Sequence, residues 1–302
     1  MSRKRIFIIH NPTSGRRSAD LMGSVVRELV SLGARVDIRV TEGPGHATEL
    51  ASKVTEDSQD CIVAAGGDGT VNEVLNGLVL LNPAPPLPAP PLGIIALGTA
   101  NVLAIELGLP KSAAAIARIL FEGPSRPLYP GLISCDTQPP RLFAQMAGVG
   151  LDARIVAGVS GALKRALGKG AYAIETLYQW LRGGLPSYQI DIDGVTYQAA
   201  SMVVANGRHY GGRFVASPDA DIGASGFEIL LLGGSRLNML SNTAALMTTG
   251  LSGARGVRVH KGMKINISGP SGEPVQADGD LMGRLPVIIE ASSQPIMVIA
   301  GN

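Results

Sequence analysis

A run of five residues, Gly66-Gly67-Asp68-Gly69-Thr70, places the strongest local constraint on how this chain folds. It follows an apolar segment, Asp60 to Ala65, that predicts a buried strand, and it precedes Val71 to Leu80, whose spacing predicts an amphipathic helix. Glycine lets the backbone turn sharply and approach a ligand closely. Backbone N–H groups at the start of the next helix form a natural cradle for phosphate. The run therefore predicts a phosphate-binding turn or, more simply, a tight strand-to-helix connection.

Asp68 bears on the choice between these two interpretations. A carboxylate inside such a cradle would repel a bare phosphate. It is compatible with phosphate if a divalent cation such as Mg²⁺ lies between the two. The carboxylate therefore favours nucleotide-dependent phosphoryl transfer, whereas a plain turn would need only one or two glycines.

The first part of the chain alternates strand-like and helix-like segments. The predicted strands are Arg5 to His10, Ala34 to Val40, Asp60 to Ala65 and Gly93 to Leu97, and the predicted helices are Ser18 to Leu32, His46 to Val54 and Val71 to Leu80. Repeated units of this kind predict a parallel sheet with right-handed crossovers. Because ligands bind beyond the carboxyl ends of such strands, the loops that follow them are expected to gather at one edge. These loops begin at Asn11, Thr41, Gly66 and Gly98.

After about Pro124 the pattern changes to short strands separated by turn residues. The predicted strands are Arg126 to Ser134, Arg141 to Ala147, Tyr188 to Ile192, Thr196 to Ala205, Phe227 to Leu232, Val257 to Ile267 and Pro286 to Ile299. Two helical stretches, Asp152 to Arg182 and Arg236 to Leu251, interrupt them. We therefore expect an α/β domain over residues 1–125, a β-rich, sandwich-like domain over 126–295, and a tail over 296–302.

Composition excludes several classes of protein. The 302 residues suffice for two domains, and the net charge of +2 gives no indication of a nucleic-acid partner. Cys61 and Cys135 form no disulfide or metal spacing, and the histidines are scattered. Neither a signal peptide nor an apolar run of about 18 residues is recognisable. We expect a cytoplasmic protein without a transmembrane segment.

Eight segments, taken together and in order, point to a known family. They are Asn11 to Gly15, Thr41, Gly66 to Leu78, Leu97 to Ala104, Gly148 to Ala153, Asn206 to Gly212, Pro218 to Ala220 and Asp278 to Asp280. This set resembles the diacylglycerol kinase catalytic-domain family, specifically its bacterial soluble lipid kinases, which are relatives of the sphingosine kinases. The resemblance implies transfer of the γ-phosphate of ATP to a lipid hydroxyl. It also implies a Rossmann-like first domain of the NAD-kinase and phosphofructokinase type, and a chain end that returns to that domain.

The resemblance places the strand-end loops on ATP. The implied nucleotide contacts are Asn11, Pro12, Thr13, Ser14, Gly15, Thr41, Gly66, Gly67, Asp68, Gly69, Thr70, Val71, Asn72 and Thr99. By residue chemistry alone, Asn11 to Gly15 are ordinary turn residues, and Thr70 is equally suited to capping a helix. The family usually reads Gly-Thr-Gly-Asn where this chain has Ala100, so a positive φ is less favourable there.

Two acidic residues receive catalytic roles from the resemblance. Asp68 would hold Mg²⁺ through the nucleotide phosphates. Asp280 matches the position at which relatives carry an acid, commonly glutamate, as general base for the acceptor hydroxyl. Aspartate is one methylene shorter, and a base must come within about 3 Å of the hydroxyl. Without the resemblance, Asp278-Gly279-Asp280 predicts a plain hairpin turn.

The chain departs from the family pattern near Ser225. Relatives usually carry Asp-Gly there, and the aspartate helps to hold an auxiliary, structural magnesium. This chain has Ser225-Gly226, so that the site would consist of Ile222 and Phe227 carbonyl groups with Ser225. Asp221 is a candidate substitute from a shifted position. We expect this auxiliary site to be weak or absent.

The stretch from Arg154 to Arg182 is basic and amphipathic. It suits either binding to an anionic membrane surface, where the lipid substrate resides, or packing on the β-rich domain. Diacylglycerol, phosphatidylglycerol and a sphingoid base all remain candidate acceptors, and a homodimer is left open.

One alternative function is an NAD-kinase-like kinase with a soluble acceptor, because NAD kinases share Gly-Gly-Asp-Gly. The other is a non-catalytic nucleotide- or lipid-binding protein, since Ser225 and Asp280 depart from the pattern.

Overall fold

The computed structural model describes residues 2–15, 18–55, 58–79, 89–136, 138–158, 186–235 and 250–301, together with residues 238, 241–242, 245–246 and 248. Most of the predicted helix from Asp152 to Arg182, including most of the basic stretch, lies outside these residues. The six described residues between 236 and 249 are helical, in agreement with the second predicted helix. The chain forms two compact units, Met1–Leu128 with Gln294–Asn302, and Tyr129–Ser293.

The strands and helices are numbered here in chain order. The strands are β1 (Arg5–His10), β2 (Arg35–Val40), β3 (Cys61–Gly66), β4 (Leu92–Ala96), β5 (Ser125–Leu128), β6 (Gly131–Cys135), β7 (Gln138–Phe143), β8 (Met146–Val149), β9 (Tyr188–Ile192), β10 (Val195–Ala199), β11 (Ser201–Ala205), β12 (His209–Tyr210), β13 (Phe214–Val215), β14 (Phe227–Leu232), β15 (Val257–Gly262), β16 (Lys264–Ser268), β17 (Pro274–Ala277), β18 (Asp280–Arg284), β19 (Val287–Ala291) and β20 (Ile296–Ile299). The helices are α1 (Ser18–Ser31), α2 (His46–Ser52), α3 (Asp68–Val79), α4 (Val102–Glu106), α5 (Ala113–Glu122) and α6 (Leu151–Gly158).

The first unit contains a six-stranded sheet in the order β2-β1-β3-β4-β20-β5. Strands β1 to β4 are parallel to their neighbours, as predicted. The chain returns at its end to insert β20, which is parallel to β4 and antiparallel to β5. The predicted parallel α/β domain is therefore confirmed.

Strand β3 lies at the centre of this sheet. All six of its residues are buried, as expected for a parallel strand whose two faces are covered. Its core partners include Val25 and Leu29 of α1 and Leu120 of α5. Burial raises the pKa of the Cys61 thiol to about 12, so Cys61 is an unreactive residue of this core.

The second unit is built from two antiparallel sheets of six strands each, ordered β10-β9-β16-β19-β6-β7 and β15-β14-β11-β8-β17-β18. One apolar core joins them, with Ile190 and Ile265 from the first sheet and Val204 and Ile229 from the second. Two sheets that share a core in this way form a β-sandwich. The predicted β-rich second domain is confirmed as a fold class.

Five predicted strands are wrong in their extent, because each covers parts of two strands. The five are Arg126 to Ser134 (β5 and β6), Arg141 to Ala147 (β7 and β8), Thr196 to Ala205 (β10 and β11), Val257 to Ile267 (β15 and β16) and Pro286 to Ile299 (β19 and β20). At every break the chain leaves one sheet and enters another. Hydrophobic patterning indicates which face of a strand is buried but not which strand it pairs with, so the breaks were not recognisable.

No helix within the described residues combines the length and apolar character that crossing a membrane requires.

Candidate active site

The loops after β1, β2, β3 and β4 meet at the carboxyl edge of the first sheet. Backbone hydrogen bonds join them in series: Thr41 N donates to His10 O (2.9 Å), Asn11 N to Ala65 O (2.9 Å), and Leu97 N to Gly66 O (2.9 Å). These bonds continue the strand pairing into the loops. The structure thus brings together the loops that the sequence predicts to be neighbours.

Asn11 organises the first of these loops. Its Oδ1 accepts hydrogen bonds from the N–H (3.0 Å) and the hydroxyl (2.8 Å) of Thr13, and its carbonyl accepts one from the Ser14 hydroxyl (2.8 Å). Its Nδ2 donates to Thr70 Oγ1 at 3.1 Å. Asn11 therefore closes its own turn and ties it to α3, while Pro12 and Thr13 remain exposed.

Gly15 ends this loop in a conformation that favours glycine. Its φ is +71°, and an added Cβ would lie 2.6 Å from the Leu97 carbonyl oxygen. Both the backbone angle and the close approach require glycine at this position.

The loops after β3 and β4 touch backbone to backbone through Gly67 and Gly98. A Cβ on Gly98 would lie 2.5 Å from Gly67 Cα and 2.8 Å from Asn101 Oδ1. A Cβ on Gly66 would overlap the Thr70 side chain. These glycines are therefore required for packing between the loops, whether or not a ligand also approaches them.

We expect Gly98→Ala to destabilise the protein by about 1–3 kcal/mol, because its Cβ meets backbone that cannot move aside. Urea unfolding measures this directly. Gly43→Ala is the matched control, since an added Cβ there meets no described atom within 4 Å, and its effect should stay within about 0.5 kcal/mol. Equal stability of the two variants would contradict the packing argument.

Asp68 is the first residue of α3, which therefore begins inside the glycine run rather than at Val71. Its Oδ1 accepts a hydrogen bond from Val102 N (2.6 Å) and its Oδ2 one from Asn101 N (2.8 Å). Burial raises the pKa of this carboxyl, and the hydrogen bonds from Val102 and Asn101 act in the opposite direction. Asp68 thus fastens the start of α4 to the start of α3.

Asn101 braces the loop after β4 from within. Its Oδ1 accepts from Gly98 N (2.9 Å) and its Nδ2 donates to Gly98 O (2.8 Å). Among the described non-glycine residues, only Asn101, Asp193 and Asp278 have a positive φ. The left-handed position of this loop is therefore Asn101, and Ala100 fits without strain. Thr99 is exposed at the same edge.

Several predicted nucleotide contacts on α3 are buried within the unit. Val71 is 5% exposed and Asn72 2%, and Asn72 Oδ1 accepts from Asn76 Nδ2 at 3.1 Å. The carboxylate of Glu73 accepts from Ala47 N (3.1 Å) at the start of α2, which suits the helix dipole. These side chains support the loops rather than line their surface.

In the second unit, Asp278 and Gly279 form the two-residue turn between β17 and β18, with φ of 49° and 87°. Positive φ at both positions is the geometry of a tight hairpin turn. The Asp278 carboxylate accepts hydrogen bonds from Ala144 N (2.8 Å), Gln145 N (2.9 Å) and Met146 N (3.1 Å). Asp278 therefore anchors the hairpin to the connection between β7 and β8.

Asp280 follows this turn as the first residue of β18, opposite Ala277. It is exposed, and no hydrogen bond or ion pair to its carboxylate is found within the described ranges. An exposed carboxylate without a protein partner remains able to accept a proton from a substrate.

The residues around Ser225 make hydrogen bonds within the second unit. The Ile222 carbonyl accepts from Tyr129 N (2.8 Å), and the Ser225 hydroxyl donates to Ser292 O (3.2 Å). Asp221 Oδ1 accepts from Gly223 N (2.9 Å). Among the described residues, no three His, Cys, Asp or Glu side chains are grouped to hold a metal ion. The loop is closed by its own hydrogen bonds.

Magnesium is accordingly expected to leave thermal unfolding of the nucleotide-free protein unchanged. The midpoint in millimolar Mg²⁺ and in excess chelator should agree within about 1 °C, since a ligand stabilises a fold only by binding it. A rise of several degrees with Mg²⁺ would show that the site is intact.

The sequence analysis gave no role to Asp152, the second residue of α6. The structure buries its carboxylate, which accepts hydrogen bonds from the Tyr210 hydroxyl and from Gln276 Nε2. The recognisable signal was an acid two residues after Gly148-Val149-Gly150, and Gly148 leaves the space that the Asp152 carboxylate occupies.

Burial raises the pKa of Asp152 from 3.8 to about 6, against the hydrogen bond from Gln276. Between about pH 4 and pH 6 the folded chain therefore holds a proton on Asp152 that the unfolded chain has released, so this group favours folding less as the pH rises. Two pKa units correspond to about 3 kcal/mol. Relative to Asp152→Asn, the wild type should lose about this much unfolding free energy between pH 4 and pH 7. If the difference in unfolding free energy between the wild type and Asp152→Asn does not change with pH, the prediction is contradicted.

Two family models match the chain: the diacylglycerol kinase catalytic domain over residues 5–133 and the YegS C-terminal NAD kinase beta sandwich-like domain over residues 145–300. A protein named diacylglycerol kinase from Bacillus subtilis (strain 168) is 28% identical, over 94% of this chain and 92% of its own. A protein of the same name from Staphylococcus aureus (strain Newman) is also 28% identical, over 99% of this chain and 93% of its own.

Solved structures share the fold. A diacylglycerol kinase from Bacillus anthracis str. Sterne aligns with a TM-score of 0.75 at 20% identity, covering 100% of this chain and 98% of its own. Yeast NADH kinase complexed with NADH aligns with a TM-score of 0.51 at 13% identity, covering 100% of this chain and 85% of its own. At these identities the likeness concerns the fold alone.

A parallel α/β sheet with glycine-rich loops at its carboxyl edge, joined to an antiparallel sandwich, places the chain in the class of kinases with an NAD-kinase-like fold. The two family models together span nearly its whole length, and the second alone covers more than half of it. The chain belongs to the family defined by the YegS C-terminal NAD kinase beta sandwich-like domain, and its residues 5–133 match the diacylglycerol kinase catalytic domain.

Proposed function

We propose that this chain is an ATP-dependent lipid kinase that transfers the γ-phosphate of ATP to a hydroxyl group of a lipid. The observation that carries this proposal is the loop cluster at the carboxyl edge of the first sheet, fastened by Asp68 to Asn101 and Val102. Relatives named diacylglycerol kinase support a lipid acceptor. The acceptor is proposed as a class, which includes diacylglycerol, phosphatidylglycerol and sphingoid bases.

The phosphates of ATP are proposed to bind against these loops. The exposed hydroxyl of Thr99 is available as a donor, whereas the Thr13 hydroxyl already donates to Asn11 Oδ1. The first N–H groups of α3 lack intrahelical partners and favour an anion. Asn11 and Asp68 hold the loops in register, so they are proposed to act on ATP mainly through the backbone that they fix.

Magnesium fits the loop cluster only when it is bound to the phosphates of the nucleotide. Among the described residues from the end of β3 to the start of α3 and from the end of β4 to the start of α4, the one carboxylate is that of Asp68, and two backbone N–H groups already occupy part of it. Mg²⁺ commonly takes one or two carboxylates, keeps several waters and binds substrate phosphates. It would therefore enter as part of the Mg·ATP complex, where it would neutralise phosphate charge, and the remaining lone pairs of Asp68 would be available to it as ligands.

The chemical step is proposed to be a direct, in-line transfer. Asp280 accepts the proton of the lipid hydroxyl as that oxygen attacks the γ-phosphorus. A P–O bond to the lipid forms, the bond between the γ-phosphorus and the β,γ-bridging oxygen breaks, and ADP leaves. Positioning and charge neutralisation supply most of the rate gain in such reactions.

The lipid is proposed to be reached at a membrane surface, with the chain bound peripherally. The basic stretch that would support this contact begins at Arg154, but residues 159–185 lie outside the described residues. Binding to vesicles with and without anionic lipid measures this part of the proposal directly.

The test of function is phosphorylation of defined lipids in mixed micelles with γ-labelled ATP. Diacylglycerol, phosphatidylglycerol and a sphingoid base are assayed separately, and the label is followed into the lipid phase. Label in any of the three supports a lipid kinase and names its acceptor.

The likeness of fold to yeast NADH kinase makes NAD and NADH the informative soluble acceptors. Label in either nucleotide, with none in lipid, would overturn the proposal in favour of a kinase with a soluble acceptor. ATP binding without label in any product would instead favour a non-catalytic binding protein.

A further inference from the structure

A chain of hydrogen bonds runs through the second unit from the buried Asp152 to the turn that carries Asp280. Gln276 is its middle member, 2% exposed and located on β17 opposite Gly148. Its Nε2 donates to Asp152 Oδ2, and its Oε1 accepts from Gly279 N at 3.1 Å. Gly279 directly precedes Asp280.

The carboxylate fixes which way round the amide of Gln276 lies. An ionised carboxylate only accepts hydrogen bonds, so Gln276 must present its NH₂ group to Asp152 and its oxygen to Gly279. The Tyr210 hydroxyl donates to the other oxygen of Asp152 and thereby fixes the carboxylate in turn. Asp152 and Tyr210 therefore fix Gln276 in the one orientation in which its Oε1 accepts from the turn.

The turn itself depends on such support. Asp280 is exposed and its carboxylate has no partner within the described ranges, so its position is set by the backbone that carries it. Asp278 holds that backbone through three N–H groups of residues 144–146. Gln276 holds it through Gly279, between Asp278 and Asp280. Two independent braces on a two-residue turn exceed what a hairpin needs in order to form.

We propose that Gln276 and Asp152 are positioning residues for Asp280: they fix the Asp278–Gly279 turn so that the Asp280 carboxylate is held where it accepts the substrate proton. This inference rests on the proposed function, since it assigns these residues to the same reaction. Catalytic groups must be held to within about 0.5 Å of the productive geometry, and supporting hydrogen bonds supply that restraint.

The first test compares Gln276→Met with the wild type. Methionine has a similar length but can neither donate to Asp152 nor accept from Gly279. We expect kcat for lipid phosphorylation to fall about 10- to 100-fold, because a misplacement of about 1 Å has effects of this size. The KM for ATP should stay within about twofold, since the nucleotide loops belong to the other unit. Gln189→Met, on the exposed face of β9, is the matched control and should leave kcat unchanged.

The second test combines Gln276→Met with Asp280→Asn. If Gln276 acts through Asp280, adding Gln276→Met to Asp280→Asn lowers kcat no further. A fall as large as the one in the wild-type background would show that Gln276 only supports folding, and would overturn the proposal. So would an unchanged kcat in a folded Gln276→Met protein.

Hydrogen exchange gives a measurement that does not depend on turnover. The amide of Gly279 should exchange at least about tenfold faster in Gln276→Met than in the wild type, because it loses its acceptor. Asp152→Asn is the second variant. The side-chain amide of the introduced asparagine allows the side-chain amide of Gln276 to flip and to present its NH₂ group to Gly279. The backbone amide of Gly279 should then again exchange faster. Unchanged exchange in both variants overturns the inference whatever the activity.

The two proposals fail in different ways. Wild-type protein that phosphorylates no lipid overturns the proposed function, and the catalytic role of Gln276 falls with it, even if exchange confirms the brace on the turn. Wild-type lipid kinase activity with a normal kcat in Gln276→Met overturns the positioning role alone.

Discussion

Asp280→Asn is expected to lower kcat for lipid phosphorylation by about 10²- to 10⁴-fold, the usual contribution of a general base. The asparagine amide is close in size to the carboxylate but cannot take the proton of the attacking hydroxyl. Because Asp280 is exposed and bonds to no described side chain, the substitution should leave stability and ATP affinity unchanged. Steady-state kinetics with γ-labelled ATP and a calorimetric titration of ATP measure the two effects separately.

Two further variants sharpen this prediction. Asp136→Asn removes an exposed carboxylate beside another turn of the second unit and should retain full activity. Asp280→Glu lengthens the side chain by one methylene and should retain activity within about tenfold of the wild type, because the group remains a carboxylate. Full activity of Asp280→Asn would assign proton transfer elsewhere.

Asp68→Asn is expected to weaken ATP binding, and with it phosphoryl transfer at limiting ATP, by about 10- to 100-fold, because it loosens the loop cluster. The side chain of asparagine has one oxygen, which can accept a hydrogen bond from only one of the two N–H groups of Asn101 and Val102. Its NH₂ group then faces the other N–H group, which is left without an acceptor. Leaving one buried N–H unpaired costs about 1–3 kcal/mol. If this free-energy cost destabilises the loop conformation that binds ATP, the affinity for ATP drops about tenfold for every 1.4 kcal/mol. Titration of ATP and urea unfolding of the same variant distinguish the loss of binding from the loss of stability.

Asp37→Asn is the matched control for this variant. Asp37 lies on β2 of the same sheet and, among the described residues, forms an ion pair with the exposed Arg39 at 3.4 Å, a surface contact that contributes little to stability. Its ATP affinity should equal that of the wild type. A folded Asp68→Asn protein with full phosphotransfer would contradict both the brace described for Asp68 and its proposed role at the phosphates.

The parallel sheet and its loop edge were predictable from the sequence, since both follow from local patterns. Continuous apolar runs such as Cys61 to Gly66 indicate buried parallel strands. Parallel strands bring the loops that follow them to one edge. The positions of Asn11, Gly66 and Gly98 at that edge therefore needed no knowledge of long-range contacts.

The partners of individual side chains were not predictable. Asp68 binds backbone 33 residues away, and Asp278 binds backbone 133 residues away. No local pattern reports such contacts, so the backbone partners of Asp68 and Asp278 were not recognisable from the sequence. Asp152 was missed for the same reason, because Gln276 lies 124 residues further along the chain.

The position of β20 has a consequence for how this chain is made. The strand lies between β4 and β5, yet it is translated only after all of Tyr129–Ser293. During synthesis, the emerging first unit therefore has a gap in its sheet, with the edge of β4 unpaired where β20 will insert. Unpaired strand edges invite association with other chains. Nascent chains that end before residue 296 should depend on chaperones, and a fragment cut at Leu128 should aggregate rather than fold as a separate nucleotide-binding domain.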